Sequence, residues 1–143
     1  MNSIRNDIVA LDTNEFIFAL RREPSHPASD VLVFDKLNEL KIYVPLQILV
    51  ELQRNLNSSE MRGLLLALSR AREVIWDYAP APIELVINWE QRGAKKGDAV
   101  IAAHLEAARV RYFISENRHF LFELSDLPFE VLTGEQALQL LNQ

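Results

Sequence analysis

Short apolar runs alternate with longer amphipathic stretches along the whole chain. Ile8-Val9-Ala10-Leu11 is four apolar residues in a row, two of them β-branched, and predicts a short strand buried on both faces. Asp12-Thr13-Asn14 follows at the point where that strand must leave a sheet. Glu15 to about Arg22 predicts a short helix, and Glu23-Pro24-Ser25-His26-Pro27 a loop, because two prolines break any regular element. Asp30 can cap a helix that keeps Val31, Phe34, Leu37 and Leu40 on one face. Ile42-Tyr43-Val44 is a second strand. Pro45 suits the first turn of a helix running to about Asn57, with Ile48, Leu49, Leu52 and Leu56 on its apolar side.

Ser58 or Ser59 can start the next helix, Met61 to about Arg72. Its run Leu64-Leu65-Leu66-Ala67-Leu68 offers more apolar surface than one face requires, for a central core helix or for a subunit interface. Val74-Ile75-Trp76 is a third strand. Pro82 opens a helix through Glu90, closed by Arg92-Gly93. The basic loop Lys95-Lys96-Gly97 precedes a helix from Asp98 to about Arg109, striped by Ile101, Ala102, Leu105 and Ala108. Tyr112-Phe113-Ile114-Ser115 is a fourth strand, followed by the polar Glu116-Asn117-Arg118-His119. Glu130-Val131-Leu132 is the last strand, and Thr133 with Gln136 has capping-box spacing before a terminal helix. Strands alternating with helices over short connections predict an α/β fold with a parallel sheet and helices on both faces. No repeat, low-complexity tract or linker divides residues 1–143, so one domain is expected.

Composition narrows this picture. At 143 residues the chain can bury a real core, and 49 % hydrophobic with 24 % charged residues is ordinary for a globular protein. No apolar run approaches the ~20 residues that span a bilayer, and Met1 to Asp12 lacks the basic-then-apolar layout of a signal peptide. A soluble, cytoplasmic protein without a membrane partner is expected. Zero cysteines exclude disulfides and thiolate metal sites. The net charge of −5 counts against broad, nonspecific nucleic-acid binding, but not against a nucleic-acid enzyme with a local acidic, metal-loaded site.

Three of the 20 acidic residues stand apart by context. Asp12 ends a buried strand. Glu51 lies in a helix written in Leu, Ile and Val. Asp98 opens the helix that leads into strand four. In a parallel sheet helices begin at the edge where strands end, so Asp12 and Asp98 fall on one rim, where ligands of open α/β sheets gather. Glu51, about six residues past Pro45 and roughly 9 Å along the helix axis, joins them only if that helix tilts across the rim. Clustered carboxylates repel unless a cation sits among them, and oxygen-only ligands point to Mg²⁺ or Mn²⁺. Such ions can activate water and stabilise the leaving oxygen of a phosphodiester. Taken singly, each acid has a plainer reading. Asp12 and Asp98 could cap helices, and Glu51 could pair with Arg54 or Asn55.

Four short motifs, in order along nearly the whole chain, carry a resemblance to PIN domains. They are Asp12-Thr13-Asn14 after an apolar strand, Glu51-Leu52-Gln53-Arg54, Gly97-Asp98-Ala99-Val100-Ile101-Ala102-Ala103, and Phe113-Ile114-Ser115-Glu116-Asn117-Arg118-His119-Phe120. The resemblance implies a PIN-like three-layer fold with a central parallel sheet of about four to five short strands. It also implies a metal-dependent endoribonuclease of the VapC toxin type, acting on single-stranded or looped RNA and silenced by a cognate antitoxin protein. Carried over residue by residue, Asp12, Glu51 and Asp98 would bind Mg²⁺ or Mn²⁺. Asn14 would orient Asp12 or a metal-held water, and Ser115 would support the site by hydrogen bonding. The chain departs from the pattern at the fourth acid: Asn117 stands where many members have Asp, and Glu116 is displaced by one position. Alternation along an extended chain lets Ser115 and Asn117 face inward while Glu116 looks away, and a neutral amide brings no charge for a second cation.

Arg54, Lys95, Lys96, Arg118 and His119 are candidate contacts for substrate phosphate, with solvated loop charges as the plain alternative. His104 reads as a packed or surface residue, and Trp76 and Trp89 as core or groove packing. The leucine-rich helix motivates a homodimer. Besides the ribonuclease, a catalytically weakened PIN-like module for binding or assembly accounts for Asn117. A phosphoryl-transfer receiver would want a second acid beside Asp12 and a lysine after Phe113-Ile114, and the chain has neither.

Overall fold

The computed structural model describes residues 3–143; Met1 and Asn2, part of the stretch read for a signal peptide, lie outside the described residues. Among these residues five strands form one all-parallel sheet: β1 (Ile8–Leu11), β2 (Lys41–Pro45), β3 (Glu73–Asp77), β4 (Tyr112–Ile114) and β5 (Glu130–Leu132), in the order β3-β2-β1-β4-β5. The register pairs Val9 with Ile42 on one side of β1 and with Tyr112 on the other, and Leu11 with Ile114. β1 is central, and Val9, Ala10 and Leu11 are buried as a continuous apolar run demands.

Among the described residues seven α-helices surround the sheet: α1 (Thr13–Leu20), α2 (Pro27–Val31), α3 (Leu46–Asn55), α4 (Ser58–Leu68), α5 (Ile83–Gln91), α6 (Lys96–Ala107) and α7 (Gly134–Leu141). With the right-handed crossovers general to parallel sheets, this strand order assigns α1 to α4 to one face and α5 with α6 to the other. The helix α7 packs on α2 and so joins the first face. The result is a three-layer α/β fold. Among the described residues no helix is long and apolar enough to cross a membrane.

Several boundaries differ from the sequence reading, each for a local reason. The helix expected at Asp30 begins at Pro27, which occupies its first turn, so Asp30 lies within that turn and caps nothing. It continues as a π turn (Leu32–Lys36) and a 3₁₀ turn (Leu37–Glu39), which bury Leu32, Val33, Leu37 and Leu40 and leave Phe34 half-buried. Pro45 ends β2 in extended conformation and stands just before α3 instead of inside it. The cap of α4 is Asn57, in a reciprocal capping box with Glu60, and not Ser58 or Ser59. That helix stops at Leu68, because the following turn brings the Arg72 N–H back to the Leu37 and Leu40 carbonyls. A π turn at His119–Glu123 had no forecast; it buries Phe120, edge-on to Phe113 at 5.1 Å between ring centroids. The Thr133–Gln136 capping box forms as expected.

The leucine run of α4 is divided by its helical period. Leu64, Ala67 and Leu68 are buried, whereas Leu65 and Leu66 are exposed. Trp89 is fully buried and donates from Nε1 to Glu106 Oε1 at 2.9 Å. Trp76 is half-buried on the edge strand β3, and His104 is buried, with burial pushing its pKa down.

Candidate active site

The chain leaves β1 towards β2 and β3, then crosses back to place β4 on the other side of β1. The strand order therefore reverses between β1 and β4, and a crevice opens beyond their carboxyl ends. Asp12 and Ser115 are the first residues past those two strands. The Asp12 N–H donates to the Ile114 carbonyl at 2.9 Å, and Ser115 Oγ donates to Asp12 Oδ2 at 2.7 Å. Asp12 Oδ1 accepts from the Thr13 N–H at 2.9 Å, at the N-cap of α1. Both readings of Asp12 thus hold at once: it caps a helix and floors the crevice.

Glu51 reaches the same rim. Thr13 Oγ1 donates to Glu51 Oε1 at 2.6 Å, and Gln47 Nε2, one helical turn earlier, donates to Oε2 at 3.0 Å. The ordinary pairing along the helix does not form at the carboxylate: Asn55 Nδ2 bonds the Glu51 main-chain carbonyl, and Arg54 is exposed. Gly97, at the start of α6, lies beside this carboxylate; a Cβ there would sit 3.7 Å from Glu51 Oε2. Asp98 follows in the first turn of α6. It is not that helix's cap, a position held by Lys95. Across the crevice, Asn117 Nδ2 stands 3.4 Å from Asp98 Oδ2 and 3.5 Å from Oδ1.

Asp12 feels this convergence. Burial pushes its pKa up to about 6; hydrogen bonds from Ser115 and Thr13 oppose the rise, and the charges of Glu51 and Asp98 add to it. Excess negative charge at a desolvated carboxylate is the electrostatic condition a cation relieves. Among the described residues no three His, Asp or Glu side chains form a ready-made metal cage. Each acid is held instead by a neutral donor: Ser115, Thr13, Gln47 or Asn117. The donor set suits a hard divalent ion, and the charges of Glu51 and Asp98 add to the cost of charging Asp12. Closing them on an ion requires side-chain rotation away from these neutral donors.

Ser115 is fully buried, and its Oγ also accepts from the Asn117 N–H at 3.0 Å. Asn14 is exposed on α1, and neither oxygen of Asp12 bonds to it; the main-chain N–H of Thr13 and the hydroxyl of Ser115 are what hold Asp12. Glu116 turns away from the crevice, and its Oε2 accepts from the Gly134 N–H at 2.9 Å at the start of α7. Lys95 and Lys96 are exposed at the rim beside Asp98. Arg118 is exposed, with its guanidinium 5.3 Å from the Phe122 ring centre. His119 is no solvated loop residue: it is buried, with Nε2 4.0 Å from Asp98 Oδ2. Sequence reading missed Thr13 and Gln47. The hydroxyl inside Asp12-Thr13-Asn14 and the i−4 position before Glu51 were the available signals.

No protein-family model matches the chain, and no curated protein matches it. Solved structures do. The crystal structure of VapBC2 from Rickettsia felis, bound to a DNA fragment from their promoter, is similar with a TM-score of 0.59 at 21% identity, covering 88% of this chain and 98% of that one. PAE2754 from Pyrobaculum aerophilum is similar with a TM-score of 0.60 at 15% identity, covering 96% and 97%. With its all-parallel sheet, three layers and acid-lined switch point, the chain has a PIN-like fold of the VapC kind.

Proposed function

We propose that the protein is a Mg²⁺- or Mn²⁺-dependent endoribonuclease that cleaves single-stranded or looped RNA. The observation that carries the reading is the convergence of Asp12, Glu51 and Asp98 at the switch point, where Asp12 is already destabilised as an anion. A divalent ion held there would activate water and neutralise charge developing on a phosphodiester. The chain's own groups would do the rest. Ser115 and Thr13 hold Asp12 and Glu51 in place by hydrogen bonding. The exposed Lys95, Lys96 and Arg118 meet the RNA backbone at the rim.

A cognate antitoxin protein is the partner this reading expects, and the likeness to VapBC2 supports it. The exposed Leu65 and Leu66 on α4 support a homodimer. A monomer by light scattering at high micromolar concentration would remove that assignment.

Incubation with structured RNA should give Mn²⁺- or Mg²⁺-dependent cleavage that Asp12→Asn abolishes. Equal residual cleavage by wild type and Asp12→Asn would mark contamination and end the enzyme reading. The amide of Asn117, facing Asp98 without charge, favours a second reading, a weakened module that binds RNA or a partner. Metal-dependent RNA retention with no cleavage at saturating Mn²⁺ is its signature.

A further inference from the structure

The fourth position of the acid site holds no acid, and the side chains around it show what stands in its place. Asn117 Oδ1 accepts from the His119 N–H at 2.9 Å, while Nδ2 faces the Asp98 carboxylate. These two contacts fix the amide's orientation, so its oxygen is spent on the backbone and only N–H groups face the site. The same turn swings His119 over Asp98. Its Nδ1 lies 3.0 Å from Glu123 Oε1. A carboxylate only accepts, so Nδ1 carries the hydrogen, and in the neutral ring Nε2 keeps a bare lone pair. That bond also holds the Glu123 carboxyl below its usual pKa range. Nε2 is shut off from solvent and has no hydrogen-bond partner, an unmet need at a side chain 8% exposed. It points at Asp98 Oδ2 from 4.0 Å. This is too long for a hydrogen bond and within twice the ~2.1 Å typical of a divalent ion to nitrogen or oxygen. A ring that donates one N–H to a carboxylate and frees the other nitrogen is the usual set-up of a metal-ligating histidine.

We infer that His119 Nε2 is a ligand of the metal held with Asp12, Glu51 and Asp98, and replaces the missing fourth acid with a neutral nitrogen. The inference rests on the metal site proposed above. A nitrogen donor tilts the site away from Mg²⁺, which favours oxygen, and towards first-row transition ions, for which Mn²⁺ is the probe.

The test is Mn²⁺ binding to the full chain, read by electron paramagnetic resonance with spin-echo detection of nitrogen coupling. Mg²⁺ affinity is obtained by competition. Wild type should bind Mn²⁺ with coupling from one imidazole nitrogen. His119→Gln and His119→Ala should lose that coupling and weaken Mn²⁺ by about tenfold or more, while Mg²⁺ weakens by about threefold at most. Glu123 is exposed, so Glu123→Ala leaves the fold intact; it should keep the coupling and weaken Mn²⁺ less than His119→Ala does. Mn²⁺ bound by wild type without nitrogen coupling, or with equal affinity in folded His119→Gln, overturns the ligand role alone. Failure of wild type to bind Mn²⁺, or equal binding by Asp12→Asn, overturns the underlying metal site as well.

Discussion

Asp12 and Glu15 sit three residues apart at the end of β1, both buried, and their charge is managed in different ways. Asp12 faces the crevice, where Ser115 Oγ and the Thr13 N–H donate to it and no neighbouring acid shares a proton with it. Glu15 faces α2 and α7. Its Oε1 accepts from Ser29 Oγ at 3.2 Å, Gly134 comes so close that a Cβ would lie 3.0 Å from Oε1, and Oε2 has no fixed donor. The neighbouring carboxyl is Glu116, and two carboxyl groups can bond only if one keeps its proton. Burial, and then Glu116, push the pKa of Glu15 far above the usual carboxylate range. One cluster is open at the rim, where the proposed function puts a cation; the other is closed, and burial beside a second carboxyl favours its protonated form. Surroundings, and not residue type, set which acids are free for chemistry.

The sharpest break between the clusters is expected from metal. Millimolar Mn²⁺ should raise the wild-type melting temperature by binding the folded state, and Asp12→Asn should abolish the rise. Its effect on metal affinity should exceed the ~10–100-fold typical of losing an outer-shell partner. Glu15→Gln should leave the Mn²⁺ response in place. An Mn²⁺-insensitive wild type across a wide titration would dissolve the distinction.

Asn117→Asp should come next. Restoring the fourth carboxylate should tighten Mn²⁺ binding by about tenfold, and its repulsion of Asp98 should lower the metal-free melting temperature. Tighter binding with no loss of metal-free stability would show that Asn117 does not face Asp98 in solution.

The closed cluster has its own signature in pH. A carboxyl whose folded pKa is raised above the ordinary 4.5 adds stability that is full below that value and is lost as the pH climbs towards the folded pKa. Wild-type melting temperature should therefore fall from pH 5 to pH 8.5, and Glu15→Gln should flatten that slope, ending a few degrees higher at the alkaline end. An unchanged slope would mean that Glu15 and Glu116 do not share a proton.

The smallest effect belongs to Glu116→Gln, which should alter turnover at saturating Mn²⁺ by no more than about twofold, since Glu116 bonds Gly134 and not the crevice. Activity lost as fully as in Asp12→Asn would move Glu116 into the catalytic cluster.

Local rules made much of this legible in the sequence. The Ile8–Leu11 strand, the Thr133 capping box and the alternation of strands and helices follow from periodicity and capping chemistry, which act within a few residues. Asp12 and Asp98 share a rim because parallel connections start helices where strands end, so their meeting was also readable. Packing decided the rest. Whether Glu51 reached the rim depended on the hydroxyl of Thr13, 38 residues away. Glu15 carried no signal beyond opening a predicted helix, and only the approach of α2, α7 and Glu116 enclosed it. His119 read as a phosphate contact or a solvated loop charge, and a π turn with no sequence signal buried its ring against Asp98. The period of a chain fixes which residues share a face, whereas a carboxylate's proton or an imidazole's lone pair depends on partners that long-range packing brings within a few ångströms.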